Sequence, residues 1–377
     1  MSFVQTVIKC RAAISWKANQ AFSIEEIEVA PPQSGEVRVK IIATGICLTD
    51  ASASRGKILD VKFPIILGHE AAGIVESVGE GVKSVKPGDH VITLFLPQCK
   101  KCEVCKREDA NTCMEFFHGS QARGVMDDGK SRFKCKGKEI FQFMGTSTFT
   151  EYSVLKEINV AKINPKAPLE KVCLLGCGVP TGYGGSTKTA KVREGSTAAV
   201  WGLGTIGLAC ILGCKNAGAS KIIGIDKNPM KEQIAKEFGC TDFINAGDVS
   251  KSIEEYLNKK YGMIDYTFEC VGTIPTMKQA FKTAALGYGV CVLVGVSPQD
   301  EEINLSPIDF LLGRKLTGEL FGSYKSVDDV PKLVEEYMEG TIPLEKFITH
   351  NLSFDEINEG FELLHNGICV RCVLNYK

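Results

Sequence analysis

Four cysteines, Cys99, Cys102, Cys105 and Cys113, follow one another at C-x2-C-x2-C-x7-C spacing on a short polar segment. Two-residue spacers let the backbone turn back, so four thiolates at this spacing can wrap one tetrahedral zinc ion. Structural free cysteines are usually buried singly among apolar neighbours, whereas Lys100, Lys101, Glu103, Lys106 and Arg107 surround these four. An iron–sulfur cluster is the rival reading, but the bacterial pattern closes with C-x3-C-P, and here Met114 follows Cys113. Zinc is favoured. Four thiolates leave no open coordination position, so this zinc is structural and the chemistry lies elsewhere.

A second set of ligand-type residues is dispersed. Gly45-Ile-Cys47-Leu48-Thr49-Asp50 follows a strand-like run, and Gly68-His69-Glu70 follows the apolar run from Phe63 to Leu67. Cys47 and His69, each near a glycine where the backbone can bend, could meet at one metal. By spacing alone, a hydrogen-bonded structural histidine is the other reading.

Gly202-Leu203-Gly204-Thr205-Ile206-Gly207 stands straight after an apolar strand and opens a helix. The first glycine permits a tight turn, the second lets a pyrophosphate approach the backbone, and the third lets helix pack on strand. The helix N-terminus adds partial positive charge. Asp226 closes the next strand nineteen residues beyond Gly207. A carboxylate there accepts hydrogen bonds from ribose hydroxyls and repels a 2′-phosphate, which favours NAD over NADP.

These residues need elements to hold them. At 377 residues the chain exceeds one ordinary core and suggests two domains. Residues 1 to about 178 read as mostly β, with runs Val7–Ser15, Ser23–Val29, Glu36–Thr44 and Ala72–Val78 separated by Gly and Pro punctuation. Beyond Val172 strands and helices alternate. Strands are expected at Thr197–Trp201, Lys221–Ile225, Asp242–Ile244, Ile264–Cys270, Val290–Val296 and Leu316–Phe321. Helices are expected at Tyr183–Lys191, Ile206–Ala217, Pro229–Phe238 and Ile274–Leu286. That alternation is the βαβ pattern of an open, doubly wound parallel sheet. The tail carries helical patterns at Val327–Met338 and Phe354–Leu364 and a strand from Val370. It could extend the nucleotide domain or fold back onto the first lobe.

A net charge of −1 offers no electrostatic footprint for nucleic acid or an anionic membrane and points to small-molecule work. The apolar run Ala198–Cys214 is accounted for by the strand, glycine loop and helix. The start, Met1-Ser-Phe-Val-Gln5, has no secretory pattern, so the sixteen cysteines are expected as reduced thiols and metal ligands in the cytoplasm.

With Cys47, Gly68-His69-Glu70, the four-cysteine lobe, Cys177 and the Gly202 fingerprint in this order, the chain resembles the zinc-dependent medium-chain alcohol dehydrogenases, specifically the vertebrate cytosolic type. The likeness runs from Ile8-Lys-Cys-Arg-Ala-Ala13 to Val370-Arg371 and includes Val29-Ala-Pro-Pro32 and Gly145-Thr-Ser-Thr-Phe149. It implies a GroES-like β catalytic domain over 1–178, an inserted NAD-binding Rossmann domain over 179–321, and a return of 322–377 to the first domain. It also implies a homodimer and two zinc ions per subunit.

By the resemblance, Cys47, His69 and Cys177 hold the catalytic zinc with Glu70 beside it, and Thr49 hydrogen-bonds the substrate oxygen. Lys231 falls at a ribose-binding position and Arg371 at a pyrophosphate-binding one. Leu203, Thr205, Ile206, Val271, Val294 and Val296 fall at further coenzyme contacts, and Phe95 and Phe143 line a pocket for apolar substrates. The implied reaction moves a hydride between an alcohol and NAD+, and reversibly from NADH to aldehydes or ketones.

Three positions depart from the pattern. Leu48 and Thr273 stand where relatives carry coenzyme-contacting arginines, and Ser52 stands where many carry a proton-relay histidine. Loose coenzyme binding is therefore expected. A catalytically weak NAD(H)-binding homologue is the competing reading, against which the Cys47, His69 and Cys177 trio argues. Oxidation of a glutathione adduct would call for a cationic pocket residue, and none is identified in Glu115–Gly124.

Overall fold

A computed structural model describes residues 6–56, 61–250, 252–298 and 300–376; Met1–Gln5, read above for a leader, lies outside them. The chain divides into two compact units, Met1–Cys177 with Lys325–Lys377, and Gly178–Tyr324. The divisions fall one residue before and three residues after the expected 178/179 and 321/322.

In the first unit, among the described residues, the strands Ile8–Ser15, Ser23–Val29, Phe133–Cys135, Lys138–Gln142 and Ile65–Ile66 close into a barrel. Ala12, Ala13, Ile14, Phe133 and Phe149 fill its core. A second sheet runs in the order Val160–Lys162, His90–Thr93, Ala71–Val78, Glu36–Ile46, Arg371–Asn375 and Ile348–Ser353, with Tyr152–Lys156 also paired to Glu36–Ile46. The tail strand Arg371–Asn375 lies antiparallel to Glu36–Ile46, Cys372 opposite Ile46. The tail therefore joins the first unit, and the choice left open by its sequence is decided by this ladder. Strands such as Tyr152–Lys156 and Val160–Lys162 escaped the sequence reading because they are three to five residues long and show no clean alternation of buried and exposed positions.

The second unit has six parallel strands in the order Asp242–Asn245, Lys221–Asp226, Thr197–Trp201, Tyr266–Glu269, Val290–Leu293 and Lys315–Gly318, counted among the described residues. The order reverses between Thr197–Trp201 and Tyr266–Glu269, which makes their C-terminal ends the switch point where such sheets bind ligands. The helix expected at Tyr183–Lys191 instead begins at Gly178 and continues as a π-helix over Gly185–Thr189. Ser186 donates its hydroxyl to the carbonyls of Gly182 and Tyr183, and Thr187 donates to that of Tyr183, a competition with the main-chain ladder that widens the turn. The polar helix Ile253–Tyr261 was not expected. Among the described residues no helix is long and apolar enough to cross a membrane.

Candidate functional site

The strand Glu36–Ile46 ends at Cys47, which caps the short helix Leu48–Ser54. The Asp50 carboxylate accepts the Cys47 backbone N–H at 3.2 Å and closes the first turn. The same carboxylate reaches the second ligand segment, accepting the Gly68 N–H at 3.0 Å and lying 3.0 Å from His69 Nδ1. Gly68 has φ +92°, and a Cβ there would collide with Thr148 Oγ1 and stand 2.7 Å from Phe149 N. Only glycine turns the chain there, and that turn delivers His69.

With Nδ1 donating to Asp50, Nε2 is the free ligand atom of His69, and it lies 3.2 Å from Cys177 Sγ. The ligand atoms of Cys47, His69, Glu70 and Cys177 all lie within 4.8 Å of one another, and all four residues are buried. Cys47 and His69 thus meet, together with Cys177. Thr49 Oγ1 stands 3.7 Å from Cys47 Sγ. Phe95 and Phe143 place their rings edge-on to the imidazole, centroids 5.6 and 5.8 Å away.

Hydrogen bonding between the two thiols, with Arg371 and His69 nearby, holds Cys47 well below the ordinary thiol range despite its burial. The same hydrogen bond, with burial, drives Cys177 well above that range. Burial pushes the His69 imidazole down, but Asp50 and Cys47 more than offset this and raise it. Burial pushes Glu70 up to about 8, against the pull of Arg371.

Arg371, expected at the pyrophosphate, is only 3% exposed here. It donates from Nη1 to the Ile46 carbonyl at 2.8 Å, and its Nη2 lies 3.3 Å from Glu70 Oε2. That approach lacks hydrogen-bond geometry, so both Glu70 oxygens are without a hydrogen-bond partner among the described residues. A fully buried carboxyl in that condition, with two sulfurs and a ring nitrogen within 4.8 Å of it, belongs to a donor set that a metal ion would complete. Two sulfurs and one nitrogen suit zinc with a position left open.

Cys99, Cys102, Cys105 and Cys113 also bring their sulfurs within 4.8 Å of one another. Cys99 lies 3.9 Å from Cys105 and Cys102 lies 3.9 Å from Cys113. Thiolates about 2.3 Å from a tetrahedral zinc stand about 3.8 Å apart, so this group fits a closed site. Backbone N–H groups of Cys102 and Cys105 point at Cys99 and Cys102 sulfur. The helix Ser326–Met338 braces the lobe: Lys325, its cap, donates to the Cys105 and Arg107 carbonyls, and Asp328 pairs with Lys100 at 2.6 Å.

In the second unit Gly202 has φ +84°, and a Cβ there would lie 2.8 Å from Val271 Cγ2. A Cβ on Gly207 would collide with the Gly202 carbonyl, while one on Gly204 would meet nothing within 4 Å. The middle glycine therefore opens its face to a ligand at the N-terminus of Thr205–Asn216. Asp226 accepts the N–H groups of Leu203 at 2.8 Å and Asn228 at 2.9 Å, joining the loop to the next strand. The Leu203 side chain, Thr205 and Val294 are buried, and Ile206 and Lys231 are half-buried. Val271 and Val296 are 48% and 66% exposed past the strand ends. The loop thus leaves its backbone open beside Gly204, at the C-terminal edge of the sheet.

Asp50 was missed in the sequence. Its signal was a carboxylate three residues after a candidate ligand at a helix start, which reads equally as an ordinary cap.

Residues 33–165 match the alcohol dehydrogenase GroES-like domain, and residues 205–339 match the zinc-binding dehydrogenase domain. An alcohol dehydrogenase class-3 of Drosophila melanogaster is 52% identical over 373 residues, 98% of each chain. Among solved structures, an alcohol dehydrogenase zinc-binding domain protein from Burkholderia ambifaria superposes with a TM-score of 0.91 at 29% identity, covering 98% of this chain and 99% of its own. The benzyl alcohol dehydrogenase of Acinetobacter calcoaceticus does so at 0.90 and 29%, covering 98% and 100%. With identity at this level over nearly the full length and both domain types present, the chain belongs to the zinc-dependent medium-chain alcohol dehydrogenase family.

Proposed function

We propose that the protein transfers a hydride between alcohols and NAD+, and in reverse reduces aldehydes and ketones with NADH. The observation that carries this reading is the buried meeting of Cys47, His69 and Cys177 beside a Glu70 carboxyl with no hydrogen-bond partner among the described residues. These three residues would hold the catalytic zinc, and the four lobe cysteines a structural one. A zinc with an open position supplies Lewis acidity, easing proton loss from a hydroxyl and polarising a carbonyl.

The chain's own groups do the rest. Asp50 keeps the His69 tautomer that presents Nε2, and Thr49 supplies a hydroxyl for the substrate oxygen and its proton. Phe95 and Phe143, with Phe116 6.2 Å from Phe95, make an apolar aromatic wall that excludes water and suits apolar alcohols. Asp226 selects an unphosphorylated ribose, so NAD is the coenzyme, with Lys231 at the same ribose.

The vertebrate cytosolic subtype is the assignment that the shared motifs support. Cysteines gathered as two metal-ligating groups, not as disulfides, agree with a reducing cytoplasm. A homodimer is supported by the edge strand Lys315–Gly318 and by Ile308, Phe310, Leu311 and Leu312, apolar residues exposed just before it.

Zinc counted per chain, together with NADH formation across primary, secondary, aromatic and long-chain alcohols, tests the reading. Two zincs with turnover support it. One zinc without turnover would favour a binding protein instead.

A further inference from the structure

Outside both metal clusters, a pair of thiols lies at the switch point of the parallel sheet. Cys270 is the first residue after the strand Tyr266–Glu269, and its N–H donates to the Trp201 carbonyl at 2.9 Å, across the point where the strand order reverses. Cys210 sits on the helix Thr205–Asn216 that leaves the Gly202 loop. Their sulfurs are 3.8 Å apart. Cys210 is fully buried and Cys270 is partly open to solvent.

We propose that Cys210 and Cys270 form a reversible disulfide under peroxide, an oxidation site on the floor of the dinucleotide crevice that weakens coenzyme binding. The second half of this statement rests on the coenzyme reading above; the first does not.

The accessible thiol reacts first. The Cys270 thiolate attacks one oxygen of hydrogen peroxide, the O–O bond breaks, and hydroxide leaves as a sulfenic acid forms. The Cys210 sulfur then displaces the sulfenic hydroxyl, which departs with the Cys210 proton as water. Two thiols and one peroxide become one disulfide and two waters, with the peroxide as oxidant. Burial, then the hydrogen bond to Cys270, keeps Cys210 well above the ordinary thiol range, which leaves the more accessible Cys270 as the sulfur that meets peroxide first.

A disulfide requires the sulfurs to close to about 2.05 Å, so the helix and residue 270 must approach one another. Little slack exists nearby. A Cβ on Gly202 would stand 3.2 Å from the Cys270 carbonyl carbon and 2.8 Å from Val271 Cγ2. A shift of 270–271 is therefore carried to the left-handed turn at Gly202 and to the open face of Gly204. By linkage, bound coenzyme opposes the oxidation by the same factor that oxidation opposes the coenzyme.

The experiment uses the full, zinc-loaded protein treated with hydrogen peroxide, blocked with an alkylating agent, digested and mapped by mass spectrometry. The expected result is a peptide pair linked through Cys210 and Cys270, lacking two hydrogens, reversed by dithiothreitol and suppressed by saturating NADH. Cys214 shares the helix, so Cys214→Ser must leave the link in place. NADH fluorescence titration of the oxidised protein should show binding weakened about fivefold or more, and Cys270→Ser should abolish that change.

Absence of the linked pair while the metal-site cysteines oxidise would overturn the proposal. A mapped link with unchanged NADH affinity would overturn the coupling. If the reduced protein binds no NADH, the coenzyme reading fails, and the linked peptide alone then upholds or overturns the thiol pair.

Discussion

The Asp50 carboxylate lies 3.0 Å from His69 Nδ1, and both side chains are buried, Asp50 completely. One carboxylate thus holds the Cys47 N–H, the Gly68 N–H and the histidine ring, so it sets the position of two metal ligands and the tautomer of one. Asp50→Asn keeps the shape but gives up the charge and the preference for a donated Nδ1–H. Zinc affinity at the Cys47 site should fall about 10- to 100-fold. Competition with a chromogenic chelator measures it, and an unchanged affinity would remove Asp50 from the site.

Replacement of Cys113 by Ser should reduce zinc from two to one per chain and expose the segment from Cys99 to Cys113 to limited proteolysis. This lobe leans on the N-terminus of Ser326–Met338 through Lys325 and Asp328, so protease cuts should fall in the lobe. Loss of both zincs, or cuts spread through the first unit, would mean that the lobe does more than close on its own metal.

Leu48 is 62% exposed on the first turn of Leu48–Ser54, at the position where the family resemblance implies a coenzyme-contacting arginine. A charge-assisted contact there contributes roughly 1.5–3 kcal/mol, so Leu48→Arg should slow NADH release about ten- to hundredfold. Stopped-flow dissociation reads this directly. No change would mean that residue 48 does not face the coenzyme.

Ser52 is half-buried on the same helix. A hydroxyl can pass a proton but does not hold one near neutrality as imidazole does. Alcohol oxidation by the parent should therefore lack a histidine-type inflection at about pH 6–7, and Ser52→His should introduce one. Superimposable pH–rate profiles would remove residue 52 from the proton path.

Glu319 follows the edge strand and gives one carboxyl oxygen to the Gly322 N–H, while its Oε1 is buried without a hydrogen-bond partner among the described residues. Burial pushes this acid up from 4.5 to about 8. Between those values the folded chain keeps a proton that the unfolded chain has lost, so folding becomes less favourable as pH rises. Glu319→Gln should remove that loss, and its stability relative to the parent should grow with pH by on the order of 1 kcal/mol per unit. Paired denaturant curves between pH 5 and about 8 test the sign, and a constant difference would contradict it.

Residues adjacent in the chain carried their meaning openly. The lobe cysteines are legible because spacers of two to seven residues can bring four sulfurs to one point with no help from distant chain, and the Gly202, Gly204 and Gly207 pattern is local in the same sense. Strands of seven or more residues, such as Ser23–Val29, and the βαβ alternation were legible from hydrophobic runs.

What lacked a local signal needed the fold. Cys177 is 108 residues from His69, and no periodicity states that their ligand atoms stand 3.2 Å apart. The tail's destination was set by the ladder that pairs Cys372 with Ile46, which two candidate sheets could equally have offered. Asp50 as the orienting partner of His69, Arg371 turned onto Glu70, the π-turn at Gly185 and the contact of Cys210 with Cys270 are all products of long-range packing. Sequence determined which chemistries were available to this chain, because local spacing limits what neighbouring residues can hold. Tertiary structure decided which distant groups share one charge environment, because hydrogen bonds and burial act through space, not along the chain.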